Sequence, residues 1–354
     1  MADVRFFWGS FAALFLVGVI VALPGAALPV WRERYGVEDE VSWFFTALLL
    51  GLLLGVRLAQ GERRHPLLPA ALGLVGLALW GVALAPFFPL VVALAFLLGL
   101  GEGVMNVHGN SLVGELFPER RVALLNRVNV AFGLGAVFTP FALTLLPYTA
   151  VLLLAGLLAG VGALLLWKAP AVAHIPQEGG RGLWPFLLAV ALYTGLEGSL
   201  ATWNRVWLER LGHATATGGV LLSLYWLFLA LGRLLLAERV AQSPLAALRG
   251  LLVGVLGLLL LNLLPPTALL FPLVGFFLGP LFSTLFALVQ ARFGHRALGG
   301  LLYAGATGST LIPALFALLP TGGIPVGLFA LALGLFLLVA GLEGRKAHAE
   351  GPPL

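Results

Sequence analysis

Two glutamates stand inside long apolar stretches of the sequence, where a carboxyl group can bind and release a proton. Glu102 lies in GEGVMNVHGN, directly after the uncharged run FFPLVVALAFLLGL, and Glu197 lies in LYTGLEGSLATWN. A charge at the bilayer centre costs about 3 kcal/mol on insertion scales. Because burial favours the neutral form of a carboxyl group, we predict that Glu102 and Glu197 are proton-coupling residues that exchange a proton when water reaches them.

Asparagines accompany the first of these acids at helical spacing. Asn106 and Asn110 follow Glu102 at i+4 and i+8, so the three share one stripe of a helix. The alternative to a substrate contact is interhelical hydrogen bonding, with Glu102 paired to an arginine such as Arg127. In this half of the chain the predicted substrate contacts, all amides expected to line a wet central cavity, are Asn106, Asn110, Asn126 and Asn129.

The stretch around Glu197 repeats this arrangement. Tyr193, Glu197 and Asn204 fall at i, i+4 and i+11, again on one face. A structural acid bonded to backbone or hydroxyl groups is the alternative role for Glu197, and tryptophans near a membrane surface are often interface anchors. The substrate contacts predicted in this half of the chain are Tyr193, Trp203, Asn204, Tyr225, Tyr303 and Thr307.

Three arginines lie inside or at the ends of the apolar stretches. Arg233, in LGRLLLAER, can reach helix-terminal carbonyls or an acid across a gate, and Arg57 is its loose counterpart in the second stretch. We predict a gating or structural role for Arg57, Arg127 and Arg233.

The elements that position these residues are predicted to be membrane helices. The chain has 354 residues, of which 60% are hydrophobic and 10% are charged, with a mean hydropathy of +1.05, whereas a soluble domain carries about 25% charged residues. Runs of about 20 apolar residues are typical of spanning helices. Twelve are predicted, at 6–30, 41–60, 66–86, 88–113, 123–146, 149–167, 183–207, 216–238, 245–264, 268–290, 297–319 and 324–342.

The basic residues predict the orientation. All of the 20 lysines and arginines fall on one side or in its helix ends, except Arg32, Arg34, Arg205 and Arg210. Since basic loops stay in the cytoplasm, we expect a multi-pass protein of the cell inner membrane with both termini cytoplasmic. The net charge of +5 therefore does not indicate a nucleic-acid partner. With no cysteine, the chain has no disulfide or thiol chemistry.

The sequence also repeats itself. GAVFTPFALTLLP (135–147) matches GSTLIPALFALLP (308–320), with a glycine and two prolines each offset by 173 residues. We therefore predict an all-α membrane protein with 12 transmembrane helices in two parallel-repeat halves. The predicted boundaries are 1–167 for the first half, 168–182 for a cytoplasmic linker and 183–354 for the second half with a short cytoplasmic tail.

Two six-helix halves joined by a long cytoplasmic connection resemble the major facilitator superfamily. GEGVMN is similar to the fourth helix of its fucose-permease-like branch, and LEGSLATWNRVWLERLG followed by LLSLYWLFLALGRLLLAERV resembles helices 7 and 8. LLNRVNVAFGLGAVFTP and ATGSTLIPALF resemble helices 5 and 11. The resemblance implies a sugar:proton symporter. Two features depart from it. The superfamily's signature in the loop after helix 2 (Gly, acid, Arg, Gly, Arg) is reduced here to GVRLAQGERR, and VALPGAALPVW in the first span lacks the acid found in the first helix of fucose permease.

We therefore predict a secondary active transporter that moves a sugar or related polar metabolite by alternating access, coupled to protons. A proton-driven exporter of amphiphilic drugs or metabolites is the alternative. An integral membrane enzyme is a remote one, because the chain has no HExxH or GxSxG motif, and a channel would need a filter-like loop. The expected partners are a small-molecule substrate, protons and the lipid bilayer. We expect a monomer without a cofactor.

Overall fold

The computed structural model describes residues 2–37, 40–173, 182–316 and 318–350. Its long helices follow one another through short turns. In the first half of the chain they are α1 (Ala2–Tyr35), α2 (Val41–Leu58), α3 (Leu67–Leu84), α4 (Phe88–Leu116), α5 (Pro118–Leu145) and α6 (Tyr148–Leu165). In the second half they are α7 (Trp184–Arg210), α8 (Thr215–Leu235), α9 (Pro244–Asn262), α10 (Pro272–Phe293), α11 (His295–Phe316) and α12 (Ile324–Glu350).

These helices match the predicted spans in number and order. In the part of the chain that the structure describes, 11 helices are long and apolar enough to cross a membrane, and α8 carries the shorter apolar segment Val220–Leu235. A short helix, Ala237–Gln242, follows α8. The prediction of a twelve-helix, all-α membrane protein is confirmed.

The chain forms two compact units, Met1–Ile175 and Pro176–Leu354. In the first unit the main helix pairs are α1 with α5, α2 with α4, and α3 with α6. In the second they are α7 with α11, α8 with α10, and α9 with α12. The same three pairings thus recur at equivalent positions, as the repeat in the sequence predicts.

The second and fourth helices of each unit touch backbone to backbone. A Cβ atom at Gly99 of α4 would overlap the Leu48 carbonyl of α2, and one at Gly275 of α10 would overlap the Tyr225 carbonyl of α8. Small residues permit this approach in membranes. Gly160 and Gly250 do not serve this purpose, although each belongs to a Gly-x-x-x-Gly sequence: no atom of a neighbouring helix lies within 4 Å of a Cβ built on either, because both lie on exposed faces of their helices.

This contact predicts a strong difference between two glycine variants. Gly99→Ala should destabilise the protein by about 1–3 kcal/mol, because the methyl group forces α4 away from α2. Gly160→Ala, in open space on α6, should be neutral or stabilising by up to about 1 kcal/mol. Thermal unfolding of both purified variants in the same detergent measures the difference. Equal midpoints would contradict the packing described for α2 and α4.

Candidate functional site

Glu102 lies in the buried middle of α4. Its flanking glycines pack on other helices, Gly101 against Val75 of α3 and Gly103 against α2. Gly109 follows Glu102 by seven residues and therefore lies on nearly the same face of α4. A Cβ atom built on Gly109 would lie 3.8 Å from the Cβ of Ala13 in α1. The Glu102 side chain is therefore directed toward the α1 side of α4.

The carboxyl group of Glu102 is shielded and incompletely bonded. The residue is only 4% exposed, and no hydrogen-bond partner reaches its Oε2 atom among the described residues. An ionised carboxylate in such a place is very costly, while a protonated one costs much less. This environment therefore suits a group that carries a proton until water or a ligand reaches it.

A chain of amides lies farther along α4 and crosses to α5. Asn110 Nδ2 donates to the Asn106 carbonyl at 2.8 Å and to its Oδ1 at 3.3 Å. Asn129 Nδ2 donates to Asn110 Oδ1 at 2.6 Å and to the Leu125 carbonyl at 2.8 Å. The structure thus brings together three of the four amides predicted in this half of the chain, and they connect α4 to α5.

Asn129 also marks a break in α5. The helix consists of a turn at Pro118–Arg120 and the segments Arg121–Val128 and Val130–Leu145, with Asn129 between them. The bond from its side chain to the carbonyl four residues back competes with regular helix geometry. Asn126, the fourth predicted amide, donates to the Val122 carbonyl of its own helix at 2.9 Å.

Glu197 of α7 lies beside a buried arginine of α8. Arg233 Nη2 is 3.9 Å from Glu197 Oε1, and the side chains are 4% and 16% exposed, respectively. The Tyr193 and Tyr225 side chains are fully buried and lie close enough to interact with the charges of Glu197 and Arg233. The structure therefore gathers Tyr193, Glu197, Tyr225 and Arg233 into one cluster, which we call the α7–α8 cluster.

Arg233 also stabilises an interruption in α10. Its Nε donates to the Gly279 carbonyl at 3.0 Å. Gly279 and Pro280 separate the helical segments Pro272–Leu278 and Leu281–Phe293, and Pro280 has no N–H to continue the helix. The bond to Gly279 gives Arg233 a structural role at this break. Arg233 also lies close to Glu197, and its gating role stays a prediction.

Arg57 does not occupy an equivalent place. It is exposed at the end of α2 and donates to Gln60 Oε1 at 3.3 Å. Gly55 packs on the Leu100 carbonyl of α4 just as Gly232 packs on the Phe276 carbonyl of α10. The residue that follows Gly55 is Val56, so the position equivalent to Arg233 holds a valine, and Arg57 is not the counterpart of Arg233. The gating role of Arg57 stays a prediction.

The other predicted residues of the second unit lie elsewhere. Asn262 Nδ2 of α9 donates to Asn204 Oδ1 at 2.9 Å, and Trp203 Nε1 donates to the Pro313 carbonyl of α11 at 2.8 Å. Tyr303 is partly exposed and Thr307 is exposed on α11. Asn204 and Trp203 therefore connect helices within the unit, while the tyrosine and the threonine are accessible.

A buried ion pair that was not predicted from the sequence joins the turn between α2 and α3 to the end of α4. Arg64, in the turn between α2 and α3, is fully buried. Its Nη2 donates to Glu115 Oε1 at 2.7 Å and to Ser111 Oγ at 3.0 Å, and its Nη1 donates to Glu115 Oε2 at 3.1 Å. This two-bond geometry is the strongest that arginine makes with a carboxylate.

The same pair holds the start of the predicted linker. Arg64 Nη1 donates to the Pro170 and Ala171 carbonyls at 3.3 and 3.1 Å, and the Ala173 N–H donates to Glu115 Oε2 at 2.8 Å. The linker was predicted over 168–182, and 174–181 lie outside the described residues. The first part of that segment is therefore fixed to the first unit by Arg64 and Glu115.

In the described part of the chain, twelve apolar helices form two repeated units, with Glu102 inside α4 and Glu197 inside α7, and this arrangement is typical of a membrane transporter. The chain belongs to the Major Facilitator Superfamily, whose family model matches residues 10–317. It is accordingly a transporter and not an enzyme, and transporters of this family act on small-molecule substrates.

Two curated relatives share part of the sequence. The 4-hydroxybenzoate transporter PcaK of Pseudomonas aeruginosa is 30% identical over 183 residues, which are 49% of this chain and 41% of PcaK. The glucose/mannose transporter GlcP of Bacillus subtilis is 29% identical over 136 residues, 37% of this chain and 34% of GlcP. The matches therefore span less than half the length of either relative.

Solved structures share the fold over nearly the whole chain. FucP in its outward conformation matches with a TM-score of 0.78 at 16% identity, covering 98% of this chain and 100% of FucP. The human organic anion transporter MFSD10 matches with a TM-score of 0.70 at 18% identity, covering 95% and 99%. At the level of the fold, the predicted resemblance to fucose permease is confirmed.

Proposed function

We propose that the protein is a proton-coupled secondary transporter that takes up a sugar or a related hydroxylated metabolite by alternating access. The observation that carries this proposal is Glu102, a buried carboxyl group whose Oε2 has no partner among the described residues. A membrane protein has little structural use for such an acid, and intramembrane acids are typical of proton relays.

The two acids have different roles in this proposal. Glu197 has a cation beside it, because Arg233 Nη2 lies 3.9 Å from its Oε1. Among the described residues, no hydrogen-bond partner reaches Oε2 of Glu102. Glu102 is therefore the residue that carries the transported proton, and Glu197 with Arg233 forms the polar site that binds the solute.

The solute class follows from side-chain chemistry and from the relatives. A carboxylate accepts hydrogen bonds from hydroxyl groups, while tyrosine and amide groups both donate and accept them. The α7–α8 cluster offers a carboxylate and tyrosines. GlcP transports glucose and mannose by its name, and FucP is a fucose:proton symporter. Asn106, Asn110, Asn126 and Asn129, together with Trp203, Asn204, Tyr303 and Thr307, remain proposed substrate contacts.

An aromatic carboxylate is the second candidate solute. PcaK, named as a 4-hydroxybenzoate transporter, has the longer match of the two relatives. Arg233 supplies the cation that a carboxylate would need, and its distance of 3.9 Å from Glu197 is longer than a hydrogen bond. A solute carboxylate binding Arg233 would then displace the weak contact with Glu197.

The orientation is part of the proposal. We place the protein in the inner membrane with both termini on the cytoplasmic side. The end of the first unit that carries Arg64, Glu115 and Lys168 then faces the cytoplasm. That end holds most of the basic residues of the unit, as the positive-inside rule requires. A monomer is sufficient for this function, because one chain supplies both six-helix units.

Flux into proteoliposomes tests the function. Purified protein is reconstituted, and uptake of radiolabelled glucose, mannose, fucose and 4-hydroxybenzoate is followed with and without an imposed inward proton gradient. We expect saturable uptake of one class above equilibrium, abolished by a protonophore. Uptake that never exceeds equilibrium under the gradient would overturn proton coupling, and no uptake of any sugar would overturn the sugar assignment in favour of the aromatic acid or another solute.

Glu197→Gln should weaken binding of the transported solute about tenfold to a hundredfold, because a hydrogen bond to a charged group contributes about 1.5–3 kcal/mol. It should also flatten the pH dependence of that binding. Scintillation-proximity binding from pH 5.5 to 8.5 measures both effects. Glu209→Gln, an exposed change at the end of the same helix, is the control. A binding curve for Glu197→Gln that matches the wild type at every pH would assign Glu197 a structural role.

A further inference from the structure

A pocket of about 690 Å³ opens at the end of the first unit where α1 ends and where α2 and α4 begin. It is separate from Glu102 and from the amide chain, since its lining lies within residues 34–92. The lining combines charges of opposite sign with four aromatic rings. These residues are Arg34, Tyr35, Glu40, Trp43, Phe87 and Phe88.

The pocket is amphipathic along its length. Arg34 and Glu40 lie beside the turn between α1 and α2, whereas Val92 lines it one helical turn into α4, about 6 Å farther along the span. Trp43 and Phe87 are 64% and 55% exposed. Aromatic side chains at this level of a membrane protein lie among lipid headgroups, so one end of the pocket is polar and the other continues into apolar surface.

Arg34 is held in place while keeping donors for a ligand. Its Nη1 donates to the Ala83 carbonyl at 3.2 Å, and its guanidinium lies 5.4 Å from the centre of the Tyr35 ring. An arginine has five N–H donors, and the Ala83 carbonyl accepts from one of them. A guanidinium fixed in this way is well suited to phosphate, which it binds with paired hydrogen bonds.

We propose that this pocket binds a zwitterionic phospholipid of the phosphatidylethanolamine type. The phosphate binds Arg34, the ammonium group lies near Glu40 and the faces of the aromatic rings, where cation–π attraction supports it, and the glycerol and first acyl carbons cover Trp43, Phe87 and Val92. A lipid fits better than a soluble zwitterion because it also covers this exposed apolar surface. The site is independent of the transported solute and of proton coupling.

Native mass spectrometry of the full chain tests this site. Delipidated protein is mixed with phosphatidylethanolamine, with phosphatidylglycerol of the same acyl chains, or with soluble phosphoethanolamine. We expect selective retention of phosphatidylethanolamine, lowered about tenfold by Arg34→Gln and by Glu40→Gln, which is about 1.4 kcal/mol of binding free energy. Arg32→Gln, which removes a nearby arginine that does not line the pocket, should retain the lipid as the wild type does.

Trp43→Ala keeps the test decisive if a charge variant fails to fold, because the side chain is mostly exposed and its removal should leave the fold intact. It should lower retention of the lipid while leaving the thermal unfolding midpoint of the lipid-free protein unchanged. Equal retention of phosphatidylglycerol, binding of soluble phosphoethanolamine that competes fully with the lipid, or unchanged retention in Arg34→Gln and Trp43→Ala would each overturn the proposal.

Discussion

Glu102→Gln is expected to abolish uphill, proton-driven transport, so that solute inside proteoliposomes reaches only the level found without a pH gradient. Glutamine is nearly the same size and neutral, and therefore mimics the protonated acid that the buried site tolerates. The variant should fold, bind solute and exchange labelled for unlabelled solute across the membrane. Only the step that needs loss of a proton is removed.

The measurement pairs uphill uptake with exchange in the same proteoliposomes. Glu119→Gln, an identical chemical change in the exposed turn after α4, should retain both activities and controls for expression and reconstitution. Undiminished accumulation by Glu102→Gln would remove Glu102 from the coupling role. Loss of exchange together with accumulation would indicate that Glu102 binds the solute instead.

Arg64→Ala is expected to destabilise the protein by about 3–5 kcal/mol, the cost of removing one partner of a buried ion pair. Glu115 would lose both of its bonds to Arg64, and the Pro170 and Ala171 carbonyls would lose their donor. The thermal unfolding midpoint in detergent should fall, and protease cleavage near the start of the linker should become faster.

Arg63→Ala is the matched control, since the neighbouring arginine is exposed and exposed charges contribute about 0–1 kcal/mol. The double variant Arg64→Met with Glu115→Met should be less destabilised than Arg64→Ala, because it leaves no unpaired buried charge. Similar unfolding midpoints for Arg64→Ala and Arg63→Ala would show that the buried pair contributes little.

The helices and the repeat were predictable because they depend on composition and on short-range order. Runs of apolar residues give spans in any context, and matching glycines and prolines at 135–147 and 308–320 were visible in the sequence. The recurrence of the same helix pairs in both units follows from that repetition.

The interruptions of the helices were not predictable in the same way. Nothing in the sequence around Asn129 distinguishes a helical asparagine from one that bonds the carbonyl four residues back. The break at Gly279 and Pro280 had a signal in the proline, but its arginine donor comes from α8, 46 residues away. Such bonds depend on tertiary contacts.

Spacing along a helix also predicted which polar residues share a face, but it did not predict their hydrogen-bond partners on other helices. Asn106 and Asn110 were placed on one face with Glu102, yet it is Asn129 of the next helix that completes their hydrogen bonds. Arg57 and Arg233 resembled each other in sequence, although only the latter is buried. Arg64 was overlooked because a basic residue in a turn is normally solvated.

The glycine contact between α2 and α4 restricts how Glu102 can act in the proposed proton coupling. Where two helices meet at carbonyl level, no intervening side chain can change rotamer to accommodate sliding or twisting. Gly99 lies less than one turn from Glu102, so the backbone that carries Glu102 is fixed against α2. In the proposed transport cycle, water therefore reaches the carboxyl group when the surrounding helices move, α1 first, because α4 stays fixed on α2.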